Sequence, residues 1–399
     1  MNLFSYVKSH GIKGTWDVIY RYKIDQALRK LAVRLTRNKP LHNTIVIEGH
    51  NDFDSNGGAF YDYLIKNHYN DKYKIVWLLK NKKPDHLPKN VSAFYLYKPS
   101  LKKQMTICTA KYILTCQDAI GSVRDGQISV YLTHGTVGLK AFKGKCTLPD
   151  NLSYILMPSE YMQPILAEQY EIDNTNVKYA HVGFPIHDYL YSSENGAIRK
   201  FTAHKYNKVI LWMPTFRKGI AFGREDSSAI EPLGIPVFSS MNDLNEVNNY
   251  LKENNSLLII KIHPMQDLST IKVQNLSNIH VLNGVSIKKY GVNNAQIMKD
   301  ADALISDYSS AAYDYMHLDR PVGFTMDDAK EYKLGFIVKD PMEMIGGQVI
   351  NNKQDFLSFI SDVINGRDIY KEKRHEVFDK IFEFKDGNSC QRLAEFLNL

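Results

Sequence analysis

Short apolar runs, each ending abruptly in small polar or basic residues, recur along this chain and alternate with stretches of helical spacing. Strands are predicted over 44–49, 74–79, 91–97, 112–115, 128–132 and 154–157, with helices beginning near Ala59, over 100–110 and across 161–169. The pattern pauses over 183–206 and resumes with strands at 208–213, 257–262, 279–282, 303–305 and 322–324, and with a helical tail from about Lys371. Runs too apolar to alternate, separated by helices, predict parallel sheets covered on both faces. The pause divides them into two Rossmann-like α/β domains, 41–190 and 191–399, preceded by an arm at 1–40.

The formal charge of +7 is unevenly placed. Within the arm, Lys8, Lys13, Arg21, Lys23, Arg29, Lys30, Arg34, Arg37 and Lys39 face only Asp17 and Asp25, so the rest of the chain balances. Ile19, Tyr20, Ile24, Ala27, Leu28, Leu31, Ala32 and Leu35 fall roughly on one stripe of a helix, which predicts a basic amphipathic arm. Such a helix suits an anionic membrane surface; the plainer expectation is a helix docked on the protein's own body. No zinc-finger spacing or basic-aromatic alternation points to nucleic acid. No apolar window is long enough to span a bilayer, and the first residues lack the apolar core of a secretory signal. Cys108, Cys116, Cys146 and Cys390 form no paired framework, so free thiols in a reducing compartment are expected.

Ligands of open α/β sheets bind beyond the carboxyl ends of the strands, and the polar clusters of this chain stand there. His134 follows one strand and precedes Gly135, Thr136, Gly138 and Lys140; an imidazole at that place can take a proton from a hydroxyl near neutral pH. Gly135 and Gly138 are expected to let the backbone approach a ligand closely. Thr215 and Arg217 follow the first strand of the second domain, where a guanidinium can grip a phosphate with two hydrogen bonds. Strand alternation puts Lys261 and His263 on one side as a cationic pair. Ser309 and Ser310 open a helix, where free N–H groups attract phosphate oxygens, unless Ser309 is simply its N-cap. Asp307 is expected to orient a neighbour, since a carboxylate repels phosphate. No metal-ligand spacing, P-loop or dinucleotide fingerprint is present, and Gly57-Gly58 alone does not make one.

In order and spacing, His134-Gly135-Thr136 with Leu139-Lys140, Pro214-Thr215-Phe216-Arg217, His263-Pro264 and Ser306-Asp307-Tyr308-Ser309-Ser310 with Asp314-Tyr315 resemble the CDP-glycerol glycerophosphotransferase family of teichoic-acid primases and polymerases. Arg320-Pro321-Val322, Asp327-Asp328, Glu331-Tyr332 and Gly335-Phe336 resemble the family's next block, and Gly346-Gly347 its glycine turn. Here the histidine motif carries an extra residue and no proline, and Gly183-Phe184-Pro185-Ile186-His187-Asp188 lacks the family's arginine. The resemblance implies a glycosyltransferase B-type arrangement, a CDP-glycerol or CDP-ribitol donor held mainly by the C-terminal half, and a peripheral place on the cytoplasmic face of the membrane. It further implies His134 as the base, a lipid-linked or glycan acceptor (teichoic acid or capsule), and CMP as the leaving group. Arg217, His263, Ser309 and Ser310 would hold the diphosphate, and Glu331 would contact cytidine or ribose. The rival expectations are a nucleotide-sugar glycosyltransferase of the same fold and a non-catalytic glycan-binding protein.

Overall fold

The computed structural model describes residues 3–219 and 224–399; the side chains of residues 3–14, 17, 18 and 288 lie outside that description, and with them the expectations for Lys8, Lys13 and Asp17. The chain forms two compact units, the first of Met1–Thr136, Lys143–Asp188 and Asp386–Leu399, the second of Val137–Phe142 and Tyr189–Lys385. The expected linear partition is therefore replaced by an interleaved one. Backbone pairing is the physical reason for the shorter exchange: Leu139 N donates to Tyr308 O (3.1 Å), Ile337 N to Leu139 O (2.9 Å) and Ala141 N to Gly335 O (3.1 Å).

In the first unit, β1 (His42–Glu48), β2 (Lys74–Leu79), β3 (Val91–Tyr95), β4 (Ala110–Thr115), β5 (Ile128–Tyr131), β6 (Tyr154–Leu156) and β7 (Lys178–Ala180) form one sheet. Its order is β3-β2-β1-β4-β5-β6-β7, and every pairing is parallel. Val46, Val76, Leu78, Ile107, Ala110 and Ile113 cluster in its core. The second sheet comprises β8 (Lys208–Trp212), β9 (Ser256–Lys261), β10 (Ile279–Leu282), β11 (Ala303–Ser306), β12 (Val322–Thr325) and β13 (Gln348–Ile350), in the order β10-β9-β8-β11-β12-β13 and again parallel. Trp212, Phe238 and Phe356 pack ring against ring in its core, with centroids 4.9 to 5.7 Å apart. Each sheet thus reverses direction once, between β1 and β4 and between β8 and β11, and the crevice at such a reversal is where an α/β sheet takes its ligand. The edge strands β7 and β13 escape the sequence pattern because each is three residues long and opens on a polar residue, Lys178 and Gln348, whereas the equally short β6 has no polar first residue.

Helix α1 (Leu3–Thr36) is one continuous element of the first unit. It docks on α3 (Leu101–Thr109) through Asp25, which lies 3.1 Å from Lys103 Nζ and accepts from Gln104 Nε2 at 2.7 Å. Ala32 is fully buried, and Ile24 and Leu28 are half-buried, whereas Tyr20, Ala27, Leu31 and Leu35 are exposed. The expected apolar stripe is therefore divided, because docking takes only one edge of it. The last helix, Ser389–Phe396, also belongs to this unit: both Asp188 carboxylate oxygens accept from its first amides, Ser389 N (2.9 Å) and Cys390 N (2.8 Å). All four cysteines are free, and Cys108, Cys116 and Cys390 are buried.

Candidate functional site

At the reversal point of the second sheet, Asp307 follows β11 and Thr215 follows β8. Asp307 is fully buried. One carboxylate oxygen accepts from Thr215 N and Arg217 Nη1, both at 2.8 Å, and the other accepts from the Thr215 hydroxyl. Burial raises its pKa, but the positive charges of Arg217 and Lys140 outweigh that and hold it below the usual carboxylate range. Asp307 is thus tied to the Thr215 amide and hydroxyl and to the Arg217 guanidinium.

Arg217 is held by carboxylates of the protein itself. Its Nε and Nη2 form a two-pronged pair with Asp328 (2.7 and 2.9 Å), and its Nη1 also donates to Thr215 O (3.1 Å). Only 2% of it is exposed, and its ring neighbours are Tyr308 and Tyr332, 5.3 and 5.8 Å away. The guanidinium is paired with protein carboxylates, which fix it against the turn after β8. Asp328, which completes this pair and accepts from the Tyr308 hydroxyl at 2.7 Å, is a residue that sequence reasoning missed. Its only signal was its place in Asp327-Asp328 just beyond β12. Two more carboxyls stand near the pair, Glu231 half-buried and Asp327 exposed at its residue surface: desolvation pushes Glu231 up to about 7 and Asp327 up to about 6.

The cations that remain available are lysines. Lys261 ends β9 and is 6% exposed, and no hydrogen bond or ion pair satisfies its ammonium among the described residues. Burial alone lowers its pKa to about 8. Lys140 is half-buried, with its Nζ 5.8 Å from the Phe216 ring centre. Burial lowers its pKa to about 8 as well, with Asp307 opposing the shift. His263 packs against Phe216 at 5.0 Å, and its Nδ1 accepts from Met265 N at 3.0 Å. Burial, with Lys140 and Lys261 adding to it, lowers its pKa to about 3. The expected cationic pair is thus one ammonium and one neutral imidazole whose proton sits on Nε2, ready to donate.

Ser309 is the N-cap of the helix Ser310–Tyr315, accepting from Ala311 N, and Ser309 and Ser310 are both half-buried. Gly138 allows a close approach to the chain around Ser310: a Cβ there would lie 3.1 Å from both Ser310 N and Tyr308 O. Glu331 is exposed; its main-chain carbonyl accepts from Ser228 N at 3.2 Å and its N–H donates to Asp328 O at 3.0 Å. The structure thus gathers Lys140, Thr215, Arg217, Lys261, His263 and Asp307 and leaves the Glu331 side chain in solvent.

The other candidates stand on the first unit. His134 follows β5, is exposed, and stacks on His50 with ring centres 5.1 Å apart. His50 Nδ1 lies 3.1 Å from Gln117 Oε1, just beyond β4. Gly135 and Thr136 are half-buried beside His134. At the reversal point of this sheet, buried Glu48 accepts from Cys116 N (2.8 Å) and Gln117 N (2.9 Å) and pairs with Lys80 at 2.5 Å. No group of three or more His, Cys, Asp or Glu among the described residues is arranged to hold a metal ion.

With the geometry in place, comparison with known proteins is decisive about kinship. The family described as CDP-Glycerol:Poly(glycerophosphate) glycerophosphotransferase matches residues 31–399. The chain belongs to that family. Its relatives include the teichoic acid ribitol-phosphate polymerase TarL of Staphylococcus aureus (strain NCTC 8325 / PS 47), 28% identical over 249 residues, which are 60% of this chain and 40% of TarL. The teichoic acid poly(glycerol phosphate) polymerase of Bacillus spizizenii is 23% identical over 399 residues, covering 91% of this chain and 93% of that one. This chain thus spans less than half of TarL, and 44% of the related polymerase TarK of the same Staphylococcus. A solved structure of the wall teichoic acid polymerase TagF superposes with a TM-score of 0.70 at 18% identity, covering 100% of this chain and 98% of that one. That likeness shows the fold of the family member described here: a glycosyltransferase B-like α/β fold with two sheet-containing domains.

Proposed function

We propose that this protein transfers glycerol phosphate, or another alditol phosphate, from a CDP-alditol to a hydroxyl of a lipid-linked or cell-surface glycan acceptor. The observation that carries the proposal is the buried Lys261 ammonium, unpaired among the described residues, beside the Nε2–H of His263 and the half-buried Lys140. A buried cation without a counter-ion is costly, and a diphosphate supplies the missing charge. In the reaction, His134 takes the proton of the acceptor hydroxyl, whose oxygen forms a bond to the β-phosphorus. The bond from that phosphorus to the bridging oxygen breaks, and CMP leaves with the electron pair. Lys140, Lys261 and His263 neutralise the charge that gathers on the departing phosphate, with Ser309 and Ser310 nearby and Arg217 bracing the site through Asp307 and Thr215.

The exposed edge of α1 supports a place on the cytoplasmic face of a membrane. Trp16, Tyr20, Ala27 and Leu31 follow one another at helical spacing, with Trp16 69% exposed, and Lys23, Lys30 and Arg34 flank them. Aromatic rings at headgroup depth with lysines and arginine beside anionic lipid fit that surface. No helix among the described residues is long and apolar enough to cross a membrane.

Incubation with CDP-glycerol and CDP-ribitol and a panel of lipid-linked acceptors tests the reading. Acceptor-dependent CMP is expected from the wild type and not from His134→Ala. Absence of CMP across the panel, with a nucleoside diphosphate released from a nucleotide-sugar instead, overturns the reading in favour of a glycosyltransferase. For the membrane part, the wild type is expected to sediment with anionic vesicles more than Leu31→Glu does; equal sedimentation refutes it.

A further inference from the structure

The turn that presents His134 has an unfavourable backbone. Thr133, immediately before it, has φ of 61°, in the left-handed region that a β-branched residue resists. It is 4% exposed, so solvent does not relax it. A turn of this kind persists only where its surroundings over-determine it.

The surroundings come from the loop after β1 and the start of α2 (Ser55–Lys66). Asn56 is fully buried, and its Nδ2 donates to both carbonyls flanking the strained unit, Leu132 O (2.7 Å) and Thr133 O (3.1 Å). Its Oδ1 accepts from Ile186 N at 3.1 Å, which settles which end of the amide faces which group. Leu132 N continues the sheet by donating to Thr115 O at 2.7 Å, so the chain is held on the strand side by the ladder and on the turn side by Asn56. The same loop delivers His50, whose ring lies 5.1 Å from that of His134 at 23°. Asp52, Phe53 and Ser55 of this loop also have positive φ, of 70°, 49° and 57°. Asp52 fixes it by accepting from Lys80 N (2.6 Å) and Asn81 N (2.8 Å), and Phe53 packs on Trp77 at 4.5 Å.

We propose that Asn56 is a positioning residue for His134, acting through the Leu132 and Thr133 carbonyls, and that His50 limits the same imidazole from its face. This rests on the reading of His134 as the base. A clamp of this sort fixes where Nε2 stands when the acceptor hydroxyl arrives, and displacing a reacting group by about an ångström costs on the order of 100-fold in rate.

Asn56→Asp keeps the size and the acceptor for Ile186 N but removes the donor; Asn56→Ala removes both. His50→Ala removes the stacked ring, and His50→Phe restores a ring without the nitrogens. Each is assayed with His134→Ala for acceptor-dependent CMP release, for CDP-glycerol affinity by titration, and for thermal unfolding. Both Asn56 variants are expected to lose roughly 10- to 100-fold in kcat while still folded, with CDP-glycerol affinity unchanged, because the proposed donor groups belong to the other unit. His50→Ala is expected to lose kcat, and His50→Phe to regain part of it. Full kcat in folded Asn56→Asp and in His50→Ala overturns the inference while leaving His134 intact as base. CMP release by His134→Ala overturns the underlying reading instead. Should neither Asn56 variant fold, the His50 pair decides: no difference between Ala and Phe refutes the positioning account.

Discussion

Lys261→Met separates an anion site from an ordinary buried lysine. Burial takes the ammonium from 10.5 to about 8, and at about 1.4 kcal/mol per pKa unit this corresponds to about 3 kcal/mol disfavouring the charged form in the folded protein. The folded pKa lies below the unfolded one, so between about pH 8 and 10.5 the unfolded chain holds the extra proton. The contribution of Lys261 to stability therefore improves as pH rises through that window, and below about pH 8 its full penalty is present. Methionine fills much the same space without the charge. At pH 7 the variant is expected to unfold at a higher temperature than the wild type, by up to roughly 2–4 °C per kcal/mol recovered. CDP-glycerol should bind more weakly, because a charge-assisted hydrogen bond worth about 1.5–3 kcal/mol is lost, a factor of roughly 10 to 150. Wild-type affinity should also fall above about pH 8, where Lys140 and Lys261 lose their protons, and this dependence should be shallower in the variant. Calorimetric unfolding and ligand titration across pH 7–10 measure both. A variant that is less stable and binds the donor unchanged would refute the reasoning, since Lys261 would then be satisfied within the protein.

Arg217→Ala should act on folding before it acts on binding. It strands buried Asp307 and Asp328, and breaking a buried pair costs about 3–5 kcal/mol, so urea unfolding should show a large loss of stability; a stable variant that merely binds the donor less well contradicts the bracing role. For His263, Gln places an N–H near the Nε2 position and Ala does not, so His263→Gln is expected to keep more CDP-glycerol affinity than His263→Ala. Because the imidazole titrates only near pH 3, wild-type donor affinity should show no step from it between pH 5 and 7; equal affinities for the two variants would remove His263 from the site.

Much of the fold can be read along the chain. The run Lys74–Leu79 is a strand at the residues its apolar pattern marks, because a strand buried on both faces must be apolar over its whole length. The polar breaks after β5, β8, β9 and β11 likewise mark His134, Thr215, His263 and Asp307, since a strand's carboxyl end is where such a sheet opens to ligand. Both signals live within a window of a few residues, and so local sequence determines them. The roles of those residues do not live there. Arg217 meets Asp328 from 111 positions away and Asp307 from 90, a pairing that no local window shows. Lys261 is proposed to take an anion because no carboxylate among the described residues reaches it, and Asn56 holds the two carbonyls before His134 from a distant part of the chain. The edge of α1 that stays exposed was settled by where Asp25 finds Lys103. Spacing along the chain specifies which groups stand at a strand end; burial and partners, which are properties of the packed whole, decide which of them carry free charge.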